Sequence, residues 1–157
     1  MSVLGALILG ALRGLPSTAP PELEGAAACG AGDPALAAEV RWVSQREARA
    51  LADRGAATFV DCRSRGDFEA GHVAGSLHIP PEAGEPDASL LTALRGAPTV
   101  VTYCDADSQC ERSLRIASQL TAAGLADVRV LEGGMPSWLD NAYPAESGLC
   151  HHCEGPR

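Results

Sequence analysis

The sequence contains no lysine: all twelve basic side chains are arginine, set against twenty carboxylates. In a chain rich in alanine and glycine, this reads as the codon bias of a GC-rich genome rather than a functional choice. The arginines form no run, and the net charge is −8. Nucleic acid is therefore not an expected partner, because holding phosphates needs clustered cations. Aromatics are scarce too, with two each of Trp, Tyr and Phe. Long apolar runs are missing. Val3 to Leu12 is apolar and Arg13 follows, which is too short to cross a bilayer as a straight helix. A signal peptide wants a basic n-region, and here only the amino terminus supplies charge. Ala26-Ala27-Ala28 before Cys29 faintly resembles a cleavage or lipidation site. It lies far from the apolar run, however, and Ala26 stands where a larger aliphatic is expected. Residues 1–15 are accordingly a signal, an anchor or neither, with membrane contact as one expectation. The compartment is expected to be the membrane or the outside of a bacterial cell, with the cytoplasm as the alternative.

The length of 157 residues suits one domain that can bury its own core without staples. Residues 16–38, rich in Pro, Ala, Gly and Glu, read as a linker. Order is expected over 39–147, followed by a Cys/His tail at 148–157. Val40 to Val43 can form a first strand. Ser44-Gln45-Arg46-Glu47 is a capping box that opens a helix to about Asp53, ended by Gly55. Thr58 to Cys62 reads as a buried strand, and Ser76 to Ile79 as a shorter one. Leu90, Leu91 and Leu94 mark one helix face. Thr99 to Tyr103, β-branched and uncharged, is the clearest strand. Glu111 to Ala123 is expected to be a helix with Leu114, Ala117, Leu120 and Thr121 inward, ended by Gly124. Val128 to Leu131 is a last strand, and a short helix around Ser137 to Leu139 follows. Alternating strands and helices predict a mainly parallel sheet covered on both faces.

Six cysteines, at 29, 62, 104, 110, 150 and 153, are many for a reducing cytosol and few for a stapled scaffold. Cys104 has the most informative place. It follows a strand directly, where open α/β sheets put their ligands. A helix begins shortly after, so backbone N–H groups and the helix dipole can form an anion cradle there. A thiol in that cradle is expected to have a lowered pKa and to act as a nucleophile. Position alone leaves a buried structural cysteine equally open.

Four segments carry a resemblance. Asp61-Cys62-Arg63 and then Asp67-Phe68-Glu69-Ala70-Gly71-His72-Val73-Ala74-Gly75-Ser76 resemble the signature of the rhodanese-like domains. Val100-Val101-Thr102-Tyr103-Cys104 resembles their active-site strand and cysteine. Gly133-Gly134-Met135-Pro136-Ser137-Trp138 resembles their closing Gly-Gly-x-x-x-Trp. The likeness runs over roughly residues 39 to 147. It implies a three-layer α/β fold, a five-stranded parallel sheet with helices on both faces. It also implies sulfur transfer through a persulfide on Cys104, with no cofactor. Asp61, Arg63 and His72 match positions that look mainly architectural in the family, and Trp138 is expected in the core.

The loop departs from the family pattern. Cys104-Asp105-Ala106-Asp107-Ser108-Gln109-Cys110 is longer than usual and carries two carboxylates, which repel thiosulfate and raise a thiol pKa. The first arginine comes only at Arg112. Related phosphatases and arsenate reductases of the fold place an arginine where Cys110 stands, so phosphate chemistry loses its clamp. Cys110 is instead a candidate resolving thiol, or a packing residue under the helix start. Cys62 lines the same pocket or is a small buried apolar residue. Cys150, His151, His152 and Cys153 offer four candidate metal ligands in a row. Neighbours in sequence cannot all converge on one ion, so metal binding, redox relay and a simple tail all stay open.

The leading expectation is a sulfur-transfer or thiol-redox protein acting through Cys104, with a small sulfur donor and a thiol acceptor or thioredoxin-like reductant as partners. Its rival is a non-catalytic binding or sensing module.

Overall fold

The computed structural model describes residues 40–80, 82–105 and 111–149. Seven strands and five helices alternate along them: β1 (Arg41–Val43), α1 (Gln45–Asp53), β2 (Ala57–Asp61), α2 (Arg65–Ala70), β3 (His72–Val73), β4 (Leu77–His78), α3 (Ala88–Arg95), β5 (Thr99–Tyr103), α4 (Glu111–Ala122), β6 (Val128–Leu131), α5 (Gly134–Asp140) and β7 (Ala145–Glu146). Five strands form one parallel sheet in the order β1-β6-β5-β2-β4, and β3 pairs with β7 in a small antiparallel ladder. This is the three-layer α/β architecture that the sequence led us to expect.

Chain direction explains the layers. The connection through α1 runs one way across the sheet, from β1 to β2. Those through α3 and α4 run the other way, from β4 to β5 to β6. Right-handed crossovers then place α1 on one face and α3 and α4 on the other. The two cores agree. On one face Ala48 and Leu51 of α1 pack with Phe59, Val101, Leu131, Met135 and Trp138. On the other, Leu94 of α3 and Leu114, Ile116, Ala117 and Leu120 of α4 pack with Val60, Val100 and Val130. Within each strand the residues alternate between these cores, as the pleat requires.

Several local expectations are corrected. The capping box is only half made. Ser44 Oγ accepts from Glu47 N at 3.3 Å, but the Glu47 carboxylate pairs with Arg129 at 2.7 Å instead of reaching back. Thr121 faces out, its hydroxyl donating to Ala117 O, and Ser113 and Ile116 take the inward places. The α4 end does follow the glycine signal. Gly124 adopts φ 91°, with Gly124 N donating to Thr121 O and Leu125 N to Leu120 O. α2 was not anticipated. Only Phe68 anchors it apolarly, and Ser64 caps it by accepting from Asp67 N. Among the described residues no helix is long and apolar enough to cross a membrane; the apolar run of 1–15 lies outside them.

The turn from β6 into α5 is the tightest constraint. Gly133 caps α5 at φ 68°, and a Cβ placed on it would stand 2.8 Å from Ser137 Cβ. Both the positive φ and the contact forbid a side chain. Gly133→Ala is expected to cost about 2 kcal/mol and to lower the melting temperature by several degrees. An unchanged thermal melt would show that the turn relaxes freely.

Candidate functional site

The sheet has one switch point. After β2 the chain leads outward to β4, and after the adjacent β5 it leads through α4 toward β6. Neighbouring strands whose exits diverge leave a crevice beyond their C-terminal ends. The next residues on those two strands are Cys62 and Cys104. Both are buried, 1% and 3% exposed, and both belong to the core beneath α3 and α4.

Cys104 is held by its surroundings on three sides. Its carbonyl accepts from Met135 N at 2.9 Å, so the Gly133-Gly134 turn braces the backbone at the thiol. Its Sγ lies 3.3 Å from Ser113 Oγ in the first turn of α4, either atom being able to donate. It also lies 3.1 Å from Asp105 O. The first turn of a helix presents unpaired N–H groups and partial positive charge, and Ser113 adds a hydroxyl. Thr102 Oγ1, donating to Ser113 O at 3.1 Å, locks that turn to β5.

On the opposite side of the strand ends lies an ion cluster. Arg63, 6% exposed, donates to both Asp61 carboxylate oxygens, with Nη2 to Oδ2 at 2.7 Å, and also to Gly71 O. Its other terminal nitrogen lies 3.6 Å from Asp105 Oδ1. Burial works against the Arg63 charge, but the Asp61 hydrogen bonds and the pull of Asp61 and Asp105 outweigh it, holding the guanidinium above its ordinary pKa. The same guanidinium lies over the Tyr103 ring. Tyr103 OH accepts from Val73 N at 3.0 Å and pairs with Ser76 Oγ. Burial first, and the Asp61 charge second, push its phenol well up. His72 pairs through Nδ1 with Phe68 O and through Nε2 with Glu146, its ring stacked on Phe68. Asp61, Arg63 and His72 thus brace the strand ends, α2 and β7 rather than touching the thiol. Arg112 stands exposed in the first turn of α4.

Asp105 therefore carries a partly compensated charge. Ala106, Asp107, Ser108, Gln109 and Cys110 lie outside the described residues, as do Cys150, His151, His152 and Cys153. Sequence reasoning missed Ser113, which sits in a helix turn that reads as solvent-facing from sequence alone. It also missed the bracing by Met135 N.

Fold and site together define an α/β domain with a buried thiol at a strand end. The Rhodanese-like domain model matches residues 44–141. The chain is 32% identical over 114 residues to the uncharacterized protein YibN of Escherichia coli K12, covering 72% of this chain and 77% of that one. It is 30% identical over 112 residues to the thiosulfate sulfurtransferase GlpE of Pseudomonas fluorescens SBW25, covering 69% of this chain and 92% of that one. The crystal structure of a rhodanese-related protein from Thermoplasma volcanium superposes with a TM-score of 0.55 at 24% identity, over 68% of this chain and 97% of that one. The chain belongs to the rhodanese-like domain family and has sulfurtransferases among its distant relatives.

A hydroxyl beside a thiolate stabilises the charge. Ser113→Ala is expected to slow alkylation of Cys104 at neutral pH by up to about tenfold, the loss of roughly 1.4 kcal/mol from one charge-assisted hydrogen bond. Peptide-resolved iodoacetamide labelling measures this. An unchanged rate would mean that the Ser113 hydroxyl only packs.

Proposed function

We propose that the protein is a sulfur-transfer protein that carries sulfur as a persulfide on Cys104. The observation that supports this most directly is the placement of Cys104 Sγ at the switch point, 3.3 Å from Ser113 Oγ in the first turn of α4. The Cys104 thiolate attacks the outer sulfur of a donor such as thiosulfate. The S–S bond of the donor breaks, and sulfite leaves with the electron pair. An acceptor thiolate then attacks the outer sulfur of the persulfide, and Cys104 leaves as the thiolate. The partners on this reading are a small sulfur donor and a thiol acceptor or thioredoxin-like reductant. Membrane contact through residues 1–15 would place that chemistry at a membrane surface.

Mass spectrometry after incubation with thiosulfate or a persulfide donor tests the reading. A gain of one sulfur on the Cys104 peptide, lost in a Cys104→Ser protein that keeps its melting temperature, supports it. Absence of both an adduct and released sulfide with either donor would leave a rhodanese-like binding module.

The loop acids set the donor preference. Asp105 and Asp107 weaken anion capture, although Arg63 compensates part of the Asp105 charge. Asp105→Asn removes one negative charge and leaves Arg63 with less of its own charge neutralised. The substitution should raise kcat/KM for thiosulfate several-fold, and more at low salt than at high. If kcat/KM stays level, local charge does not limit donor capture.

A further inference from the structure

We infer that Cys62 is the resolving thiol of Cys104: once Cys104 carries a leaving group on sulfur, Cys62 closes a reversible Cys62–Cys104 disulfide. The substrate-derived form of this inference rests on the persulfide reading above, and the pairing itself rests on register. β2 and β5 run parallel, with Asp61 opposite Tyr103 as their last ladder pair. Cys62 N donates to Tyr103 O at 2.9 Å, the ladder bond that closes this last pair. Cys62 and Cys104 are the next residues on the two strands, and the spacing of neighbouring strands, about 4.8 Å, sets their separation as they leave the ladder. That lies inside the roughly 4.4–6.8 Å Cα window of disulfides.

Both side chains also point the same way. Val60 and Cys62 on β2, and Val100 and Cys104 on β5, lie in the core beneath α3 and α4, whereas Phe59, Val101 and Tyr103 lie in the opposite one. In the reduced form Cys62 Sγ faces Val60 O at 3.7 Å and Cys104 Sγ faces Ser113 Oγ at 3.3 Å, so bond formation requires the thiols to turn toward each other about χ1. Their electrostatic coupling reflects the same proximity. Burial first, then Asp61, then Cys104 push the Cys62 thiol well above its ordinary pKa, with Arg115 of α4 opposing weakly. Cys62 therefore stays protonated at neutral pH and does not compete for the sulfur donor. It acts only on a Cys104 that is already oxidised.

The step balances in two settings. On a Cys104 persulfide, the Cys62 thiolate attacks Cys104 Sγ, a new S–S bond forms, and hydrosulfide leaves with the electron pair. In this step the Cys62 thiol is oxidised, Cys104 stays at the disulfide level, and the outer sulfur is reduced to sulfide. With a hydroperoxide as oxidant, the Cys104 thiolate first attacks the terminal oxygen, the O–O bond breaks, and alkoxide (hydroxide from hydrogen peroxide) leaves. The Cys62 thiolate then attacks the sulfur of the resulting sulfenic acid, the Cys62–Cys104 bond forms, and hydroxide leaves. In either setting a dithiol reductant reopens the bond.

The test uses the full chain with all six cysteines, treated in parallel with thiosulfate and with one equivalent of hydrogen peroxide, then alkylated, digested and mapped. The expected result is a Cys62–Cys104 linked peptide after peroxide. It should persist in Cys110→Ser, disappear in Cys62→Ala, and reverse with dithiothreitol. Closure should quicken by about tenfold per pH unit through the neutral range, because the attacking thiol is mostly protonated there. A link between Cys104 and Cys110, or a Cys104 driven to sulfinic acid beside an intact Cys62, overturns the assignment. A linked peptide after peroxide, with neither sulfur uptake nor sulfide release from thiosulfate, keeps the pairing and sinks the persulfide reading. Sulfur uptake on Cys104 with no link and no sulfide release under either treatment does the reverse. A Cys104 inert to both reagents overturns both.

Discussion

The ion pair between Arg63 and Asp61 is the contact on which the rest of the site depends. It is buried at the end of β2, and its charges are satisfied almost entirely by one another and by neighbouring groups. Through Gly71 O the guanidinium fixes the end of α2. Over its face it orders Tyr103, whose hydroxyl holds β3 and Ser76. Through Asp105 it reaches the first residue after the thiol. Removing one partner would leave a buried charge uncompensated, typically at about 3–5 kcal/mol. The pair therefore fixes where both strand ends stop, and those stops place the two cysteines.

Much of the sheet was legible because its central strands are long enough to show a pattern. Thr99–Tyr103 and Val128–Leu131 are largely β-branched runs with little charge, and their bounds match the reading of the sequence. β3 and β7 were not legible. Each is two residues long, and β7 is exposed on both residues, so neither can show a period. α2 is held by a cap and one phenylalanine rather than by an apolar stripe. Thr121 misled because its spacing suits the inner face while its hydroxyl is content with the helix backbone.

The thiol itself was legible, since a cysteine directly after a strand and before a helix start is a local pattern. Its company was legible in part: a pocket shared with Cys62 was one of two readings, and the adjacency of β2 and β5 in the sheet is what brings Cys62 beside Cys104. Ser113 was hidden: which residue of a helix's first turn meets a neighbouring strand end depends on how the helix is laid across the sheet.

Strand alternation gives the site a divided inheritance. Asp61 and Arg63 must keep their identities because the scaffold is built on their charges, yet the side chain between them lies in the other core. Position 62 is thus a slot where a single substitution alters the immediate neighbour of the nucleophile while the supporting framework stays as it was. On the inferred pairing, a thiol there gives oxidation of Cys104 a reversible end point, and a valine or alanine in the same slot would take that end point away while leaving the ion cluster standing.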